Sequence, residues 1–200
     1  MTEGLPLARP GMKIGLLGGS FDPAHEGHVN ITEAAMRAFR LDRVWWLVTP
    51  GNPLKARGPA PLAQRIAGAR AMLNDPRIVV TDIESRLQTR MTADTIAAVQ
   101  RLYPGVHFVW LMGSDNLIQF DRWDRWREIA ESLPIGVMAR PGSRLAARNS
   151  VAANRLQRWR LPVAQAALLP LRKPPAWVLI NLPMSKLSST ALRQAKETKE

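Results

Sequence analysis

The sequence predicts an α/β protein, a single doubly wound, Rossmann-like parallel sheet with helices on both faces, because short continuously apolar runs alternate with helically patterned segments along its 200 residues. Strands that are apolar throughout must be covered on both faces, and crossovers of the length found here supply the covering helices. A hydrophobic content of 46% is enough for one buried core, and the length is too short to argue for two.

Residues 1–11 contain Glu3, Arg9 and two prolines but no continuous apolar segment. They do not read as a secretory signal, and a loose N-terminal tail is expected there, followed by one domain over residues 12–200. The expected strands are residues 13–17, 43–48, 78–81, 106–112, 135–138 and 177–180. Helical spacing appears between them, as at Ile31, Ala35, Ala38 and Phe39, and again at Ile66, Ala69, Met72 and Leu73. Two loops follow strands and are placed to border a site: residues 50–61, with four prolines and two glycines, and residues 140–144. Ligands of such a sheet are expected beyond the carboxyl ends of the strands.

No apolar run approaches the ~18–20 residues of a membrane-spanning helix, so no membrane partner is expected. The absence of cysteine excludes disulfides, thiolate metal sites and a cysteine nucleophile, and fits a cytoplasmic location. A net charge of +12 favours anionic partners. Much of it is arginine in the second half, including Arg140, Arg144, Arg148, Arg155, Arg158 and Arg160. This stretch reads as a solvated helical face or as an RNA-binding surface. Aromatic residues are not interleaved as a base-stacking platform requires, so nucleic acid is not the expected partner.

Directly after the first strand stands Gly18-Gly19-Ser20-Phe21-Asp22-Pro23-Ala24-His25-Glu26-Gly27-His28. Two glycines permit a tight turn and a close ligand approach, and a helix starting near Glu26 offers free N–H groups and a favourable dipole to an anion. His25 and His28, three apart, fall on one side of that first turn. A phosphate there would meet two imidazoles and several backbone donors. The pair could instead ligate a metal, but the third histidine, His107, lies in a strand, and no metal site is expected. The spacing is not the dinucleotide-binding G-x-G-x-x-G.

This string resembles the Gly-Gly-[Thr/Ser]-Phe-Asp-Pro-x-His-x-Gly-His signature of the nucleotidyltransferase superfamily, in the form used by bacterial nicotinate-nucleotide adenylyltransferases. The resemblance implies that Gly18, Gly19, Ser20 and Phe21 line the ATP site, and that His25 and His28 contact the ATP phosphates and stabilise charge developing at the α-phosphate. Ser20 would also face the acceptor.

Further along, Thr49-Pro50-Gly51-Asn52-Pro53-Leu54-Lys55 is similar to the family loop ending in Pro-His-Lys, with Leu54 in place of histidine and Lys55 retained to meet phosphate. The run Thr89-Arg90-Met91-Thr92-Ala93-Asp94-Thr95-Ile96 resembles the segment beside the acceptor's nicotinate ring, with Met91 where an aromatic is usual. On residue type alone Thr92 is a helix N-cap, with or without ligand contact. Gly113-Ser114-Asp115, with Trp123 eight residues past Asp115, resembles the Gly-[Ala/Ser]-Asp motif followed by a tryptophan. A carboxylate at a strand end can accept both ribose hydroxyls, and the glycine would let a sugar come close.

By resemblance, then, Gly113 and Asp115 bind the ATP ribose and Trp123 stacks on the nicotinate ring. Packing beside Trp126 is the alternative for Trp123, and Asp124 stands where the family commonly has a second aromatic. Arg140 in Arg140-Pro141-Gly142 matches a turn that places arginine near ATP. Ser188, Ser189, Thr190 and Arg193 match [Ile/Leu]-Ser-Ser-Thr-x-[Ile/Leu]-Arg, a second anion cradle at a helix start.

The motifs run in family order from Met12 to Arg193. They imply an adenylyltransferase that joins ATP, carried with Mg²⁺, to nicotinate mononucleotide, giving deamido-NAD and pyrophosphate, with His25, His28, Lys55 and Arg193 as the catalytic set. The alternatives are another adenylyl or cytidylyl transfer in the superfamily, to nicotinamide mononucleotide or phosphopantetheine, or a non-catalytic basic RNA-binding protein.

Overall fold

The computed structural model describes residues 4–51, 58–139 and 142–182. Six parallel strands form one sheet in the order β3-β2-β1-β4-β5-β6: β1 (Lys13–Gly19), β2 (Arg43–Val48), β3 (Ile78–Thr81), β4 (His107–Gly113), β5 (Ile135–Ala139) and β6 (Trp177–Asn181). This is the doubly wound α/β architecture that the alternating pattern predicts. The helices are α1 (Glu26–Phe39), α2 (Leu62–Ala71), α3 (Ile83–Arg86), α4 (Thr92–Leu102), α5 (Ser114–Gln119), α6 (Trp126–Ser132), α7 (Arg144–Arg148) and α8 (Val151–Arg155), with a 3₁₀ helix at Val163–Leu171.

Successive strand residues face opposite sides, and each side has its own core. Leu16, Trp45, Trp110, Val137 and Leu179 pack against residues of α3 to α8. Leu17, Trp46, Leu111, Met138 and Val178 pack against α1, α2 and the 3₁₀ helix. The middle of the sheet is crowded enough that Gly136 is required: a Cβ there would collide with the Phe39 ring.

Residues 4–11 are not the loose tail that their composition suggests. Tyr103 Oη donates to the Pro6 carbonyl at 2.7 Å, Gly11 N donates to the Gly105 carbonyl at 2.7 Å, and Leu5 and Ala8 pack against the core. Their apolar side chains find a place on the side of the sheet covered by α4. The arginine-rich stretch is likewise not one solvated helical face. The chain there breaks into α7, α8 and a 3₁₀ turn, with the Arg158 guanidinium 3.8 Å from the Trp159 ring centroid and Arg160 over Trp177.

The neighbours of β1 are β2 on one side and β4 on the other, so the chain winds in opposite directions from β1 and opens a crevice at the carboxyl ends of β1 and β4. The glycine-led motif begins in the last two residues of β1 and Gly113-Ser114-Asp115 begins at the last residue of β4, which puts both beside that crevice.

Candidate active site

The turn after β1 is built around Phe21, whose backbone is left-handed at φ 47° while its side chain is buried. That conformation is costly for a non-glycine residue, about 1–2 kcal/mol. It is held by ring packing, because Phe21 stacks on Trp46 at 4.9 Å between centroids and tilts against His28 at 4.7 Å. Gly18 and Gly19, expected to make the turn, are instead the last residues of β1. Their lack of a side chain serves packing: a Cβ on Gly18 would stand 2.9 Å from the Trp110 ring, and one on Gly19 would stand 3.3 Å from Phe21.

His25 is the N-cap of α1 and His28 its third residue, and the two rings cap reciprocally. Gly27 N donates to His25 Nδ1 at 3.0 Å, and His25 N donates to His28 Nδ1 at 3.2 Å. The ring centroids are 4.0 Å apart. A nitrogen that accepts carries no proton, so each neutral ring bears its proton on Nε2 and has an Nε2–H donor as its other hydrogen-bonding group. The histidines therefore lie together, as the spacing predicts. The backbone differs from expectation: the box uses Gly27 N, and His28 N donates to the His25 carbonyl at 2.9 Å. Imidazole donors and the helix dipole thus replace most of the free amides as the attraction for an anion at this turn.

Thr32 and Trp46 fix the first turn of α1 on β2. Trp46 Nε1 donates to Thr32 Oγ1 at 2.8 Å, and Thr32 Oγ1 donates to the His28 carbonyl at 2.8 Å. Arg65, in the first turn of α2, is buried and reaches four carbonyls in three segments. Nη1 donates to Ser20 O at 2.7 Å and to Thr49 O at 2.8 Å, Nε to Ala60 O at 2.7 Å, and Nη2 to Pro50 O at 3.3 Å. Asp22 Oδ2 adds a bond from Ala60 N at 3.2 Å. Burial pulls the Arg65 guanidinium down from its ordinary value, opposed by the charge of Asp22.

At the end of β4, the space that a Gly113 Cβ would fill is taken by the Asp115 carboxylate. The glycine accommodates this chain's own carboxylate, whereas the sequence suggests room for a sugar. Asp115 is exposed in the first turn of α5, and Ser114 Oγ lies 2.6 Å from Ser143 Oγ, tying the end of β4 to the segment after β5.

Trp123 is half-buried and meets Trp110 and Phe120 edge-on, at 6.3 and 5.4 Å. Its ring contacts are therefore with these two side chains, and through Trp110 it connects to Gly18. Asp124 pairs with Arg125, which also reaches Asp94 in α4 at 2.6 Å. Thr92 is half-buried at the first position of α4 and does not cap it. The cap position belongs to Met91, and the bonded hydroxyl is that of Thr95, 2.8 Å from Thr89 Oγ1. Ser20 is exposed at the mouth of the turn. Lys55, Arg140, Ser188, Ser189, Thr190 and Arg193 lie outside the described residues.

Arg65 and the Thr32–Trp46 link are the residues that pattern reading misses. Arg65 and Ala69, four apart, are the buried positions of α2, whereas arginine is read as solvent-facing by default. His107 opens β4 at the opposite end of the sheet from His25 and His28. Among the described residues no group of three or more His, Cys, Asp or Glu is placed to hold a metal ion, and no helix is long and apolar enough to cross a membrane.

Glu84, at the start of α3 beyond β3, is buried, and desolvation pushes its carboxyl up from 4.5 to about 7. The native state then holds a proton that the unfolded chain releases, so stability falls as pH rises from 4.5 to about 7. The full loss is at most about 3 kcal/mol. Glu84→Gln is expected to flatten this decline and to exceed wild type in urea midpoint at pH 8 by more than at pH 5. A pH-independent difference would assign the slope to other groups.

The cytidylyltransferase-like family model matches residues 16–195. A Ruegeria pomeroyi protein named probable nicotinate-nucleotide adenylyltransferase is 58% identical over 195 residues, covering 98% of this chain and 92% of its own length. A Cereibacter sphaeroides protein of the same name is 60% identical over 182 residues, or 91% of this chain and 96% of its own. Among solved structures, a Plasmodium falciparum nicotinic acid mononucleotide adenylyltransferase complexed with NaAD matches with a TM-score of 0.68 at 19% identity, over 92% of this chain and 83% of that one, a likeness of fold.

Proposed function

Because this chain belongs to the cytidylyltransferase-like family, we infer that it is an adenylyltransferase of NAD biosynthesis, joining ATP and nicotinate mononucleotide to give deamido-NAD and pyrophosphate. The observation that carries this reading is the His25–His28 pair at the head of α1, with both Nδ1 atoms committed to backbone amides. Two Nε2–H donors at the amino end of a helix suit phosphate oxygens.

A phosphate oxygen of the acceptor attacks the α-phosphorus of ATP. A P–O bond forms there as the bond to the β-phosphate bridging oxygen breaks, and pyrophosphate leaves with the electron pair. No protein nucleophile is needed, so catalysis rests on positioning and charge stabilisation. His25 and His28 donate to the phosphate oxygens that gain charge. Asp115, exposed at the end of β4, is proposed to take the ATP ribose hydroxyls, and Trp123 to offer its ring to the nicotinate.

By motif position, Lys55, Arg140, Ser188, Ser189, Thr190 and Arg193 complete the cationic and hydroxyl lining, Lys55 and Arg193 acting with the histidines on the triphosphate. Ser20 and Thr92 are assigned to the acceptor. Imidazole and amide donors do not make a cage for a hard cation, so Mg²⁺ enters as part of the MgATP substrate, on phosphate oxygens and water. The cytoplasm, which supplies both nucleotides, is the proposed compartment.

Pyrophosphate release from Mg-ATP tests the reading, with nicotinate mononucleotide, nicotinamide mononucleotide and phosphopantetheine as competing acceptors. The expected kcat/KM is highest for nicotinate mononucleotide. A preference for either of the others would replace the acceptor, and no release with any of the three would remove the activity.

A further inference from the structure

We propose that Arg65 is the positioning residue of this site, turning the peptide groups of the loops after β1 and β2 so that their amides present themselves to the substrates' phosphates; the inference rests on the adenylyl-transfer reading. Its four acceptors are all carbonyl oxygens, two of them, Ser20 O and Thr49 O, on the same Nη1. In a trans peptide the carbonyl of one residue and the N–H of the next point in opposite directions. With Ser20 O drawn to the guanidinium, the Phe21 N–H is turned away from it. With Pro50 O drawn in, the Gly51 N–H is turned away as well. Among the described residues neither amide has a hydrogen-bond partner.

Stability alone does not explain a cation in this place. Arg65 is buried, at 4% exposure, and none of the ion pairs among the described residues includes it. Burying a charge without a contact ion pair is costly and is offset here by charge-assisted bonds to carbonyls and by the charge of Asp22. An apolar side chain would close the same space without that cost, but it would leave the carbonyls free to rotate and the amides unaimed. The left-handed Phe21 backbone is the adjoining half of the same device, since it sets the peptide that Arg65 grips. Lysine cannot substitute: its single nitrogen lacks the planar fork that spans three segments at once.

Arg65→Lys and Arg65→Gln test the proposal, assayed with ATP and nicotinate mononucleotide well below the melting temperature of each variant and normalised to folded protein. Both variants are expected to lose about 10²-fold in kcat, the scale of a misplacement near 1 Å, with KM for ATP changed far less. The ATP-induced shift of the Phe21 backbone amide in ¹H–¹⁵N spectra, large in wild type, is expected to collapse in both. Wild-type kcat in Arg65→Lys would reduce the residue to a charge. Wild-type kcat per folded molecule in Arg65→Gln would reduce it to a structural staple, and either result overturns the proposal. Should wild type itself fail to release pyrophosphate, the functional reading falls, while the Phe21 amide shift on ATP addition still reports on Arg65.

Discussion

His28→Ala is expected to lower kcat by about 10²–10³-fold, the effect of removing one preorganised donor from developing transition-state charge. The same change also removes half of the reciprocal cap on α1, because His28 Nδ1 accepts from His25 N. A lost cap costs about 0.5–2 kcal/mol of stability, so the two effects must be separated. His28→Gln separates them. Glutamine at the third helical position still accepts from the cap residue's amide, which keeps the fold, but it removes the imidazole Nε2–H from its place. The His28→Gln protein is expected to melt near wild type and to remain strongly impaired in kcat. Full turnover in either variant would take the histidine out of the chemistry.

The largest expected effect on stability is that of Trp46→Ala, about 3–5 kcal/mol by urea unfolding, as for other buried large-to-small changes. Trp46 is fully buried in β2, stacks on Phe21 and donates to Thr32, which in turn donates to the His28 carbonyl. Its loss opens a cavity under the β1 turn and leaves Thr32 without its donor. The Phe21 backbone then loses the stacking that holds it left-handed, so kcat per folded molecule should fall as well. A destabilisation below about 1 kcal/mol would mean that the helical side of the sheet repacks around the gap, contrary to this interlocked packing.

The strands were legible because each carries a short continuous apolar run, such as Val-Trp-Trp-Leu-Val in β2, of the length and β-branched or aromatic character expected of a sheet buried on both faces. The placement of the motifs at residues 18–28 and 113–115 was legible because they sit at the ends of β1 and β4, where a parallel sheet opens its crevice. What stayed hidden depends on contacts far apart in the chain. Arg65 sits on a helix whose pattern reads Ile66 and Ala69 as the buried face, and its carbonyl partners lie up to 45 residues away. The turn residue after β1 is Phe21 and not a glycine, a choice that depends on Trp46 in the next strand. Met91 and Thr95, not Thr92, organise the start of α4, a shift of one position that side-chain type does not reveal. The docking of residues 4–11 likewise rests on Tyr103, more than ninety positions away.

The chain has three histidines, so imidazole nitrogen spectra resolve the central claim directly. In ¹H–¹⁵N correlation spectra of the free protein, His25 and His28 should appear as neutral rings protonated at Nε2, and titration with ATP should shift both while leaving His107, at the far end of β4, in place. Movement of His107 alone, or no change at His25 and His28 under saturating ATP, would contradict a phosphate site at the head of α1.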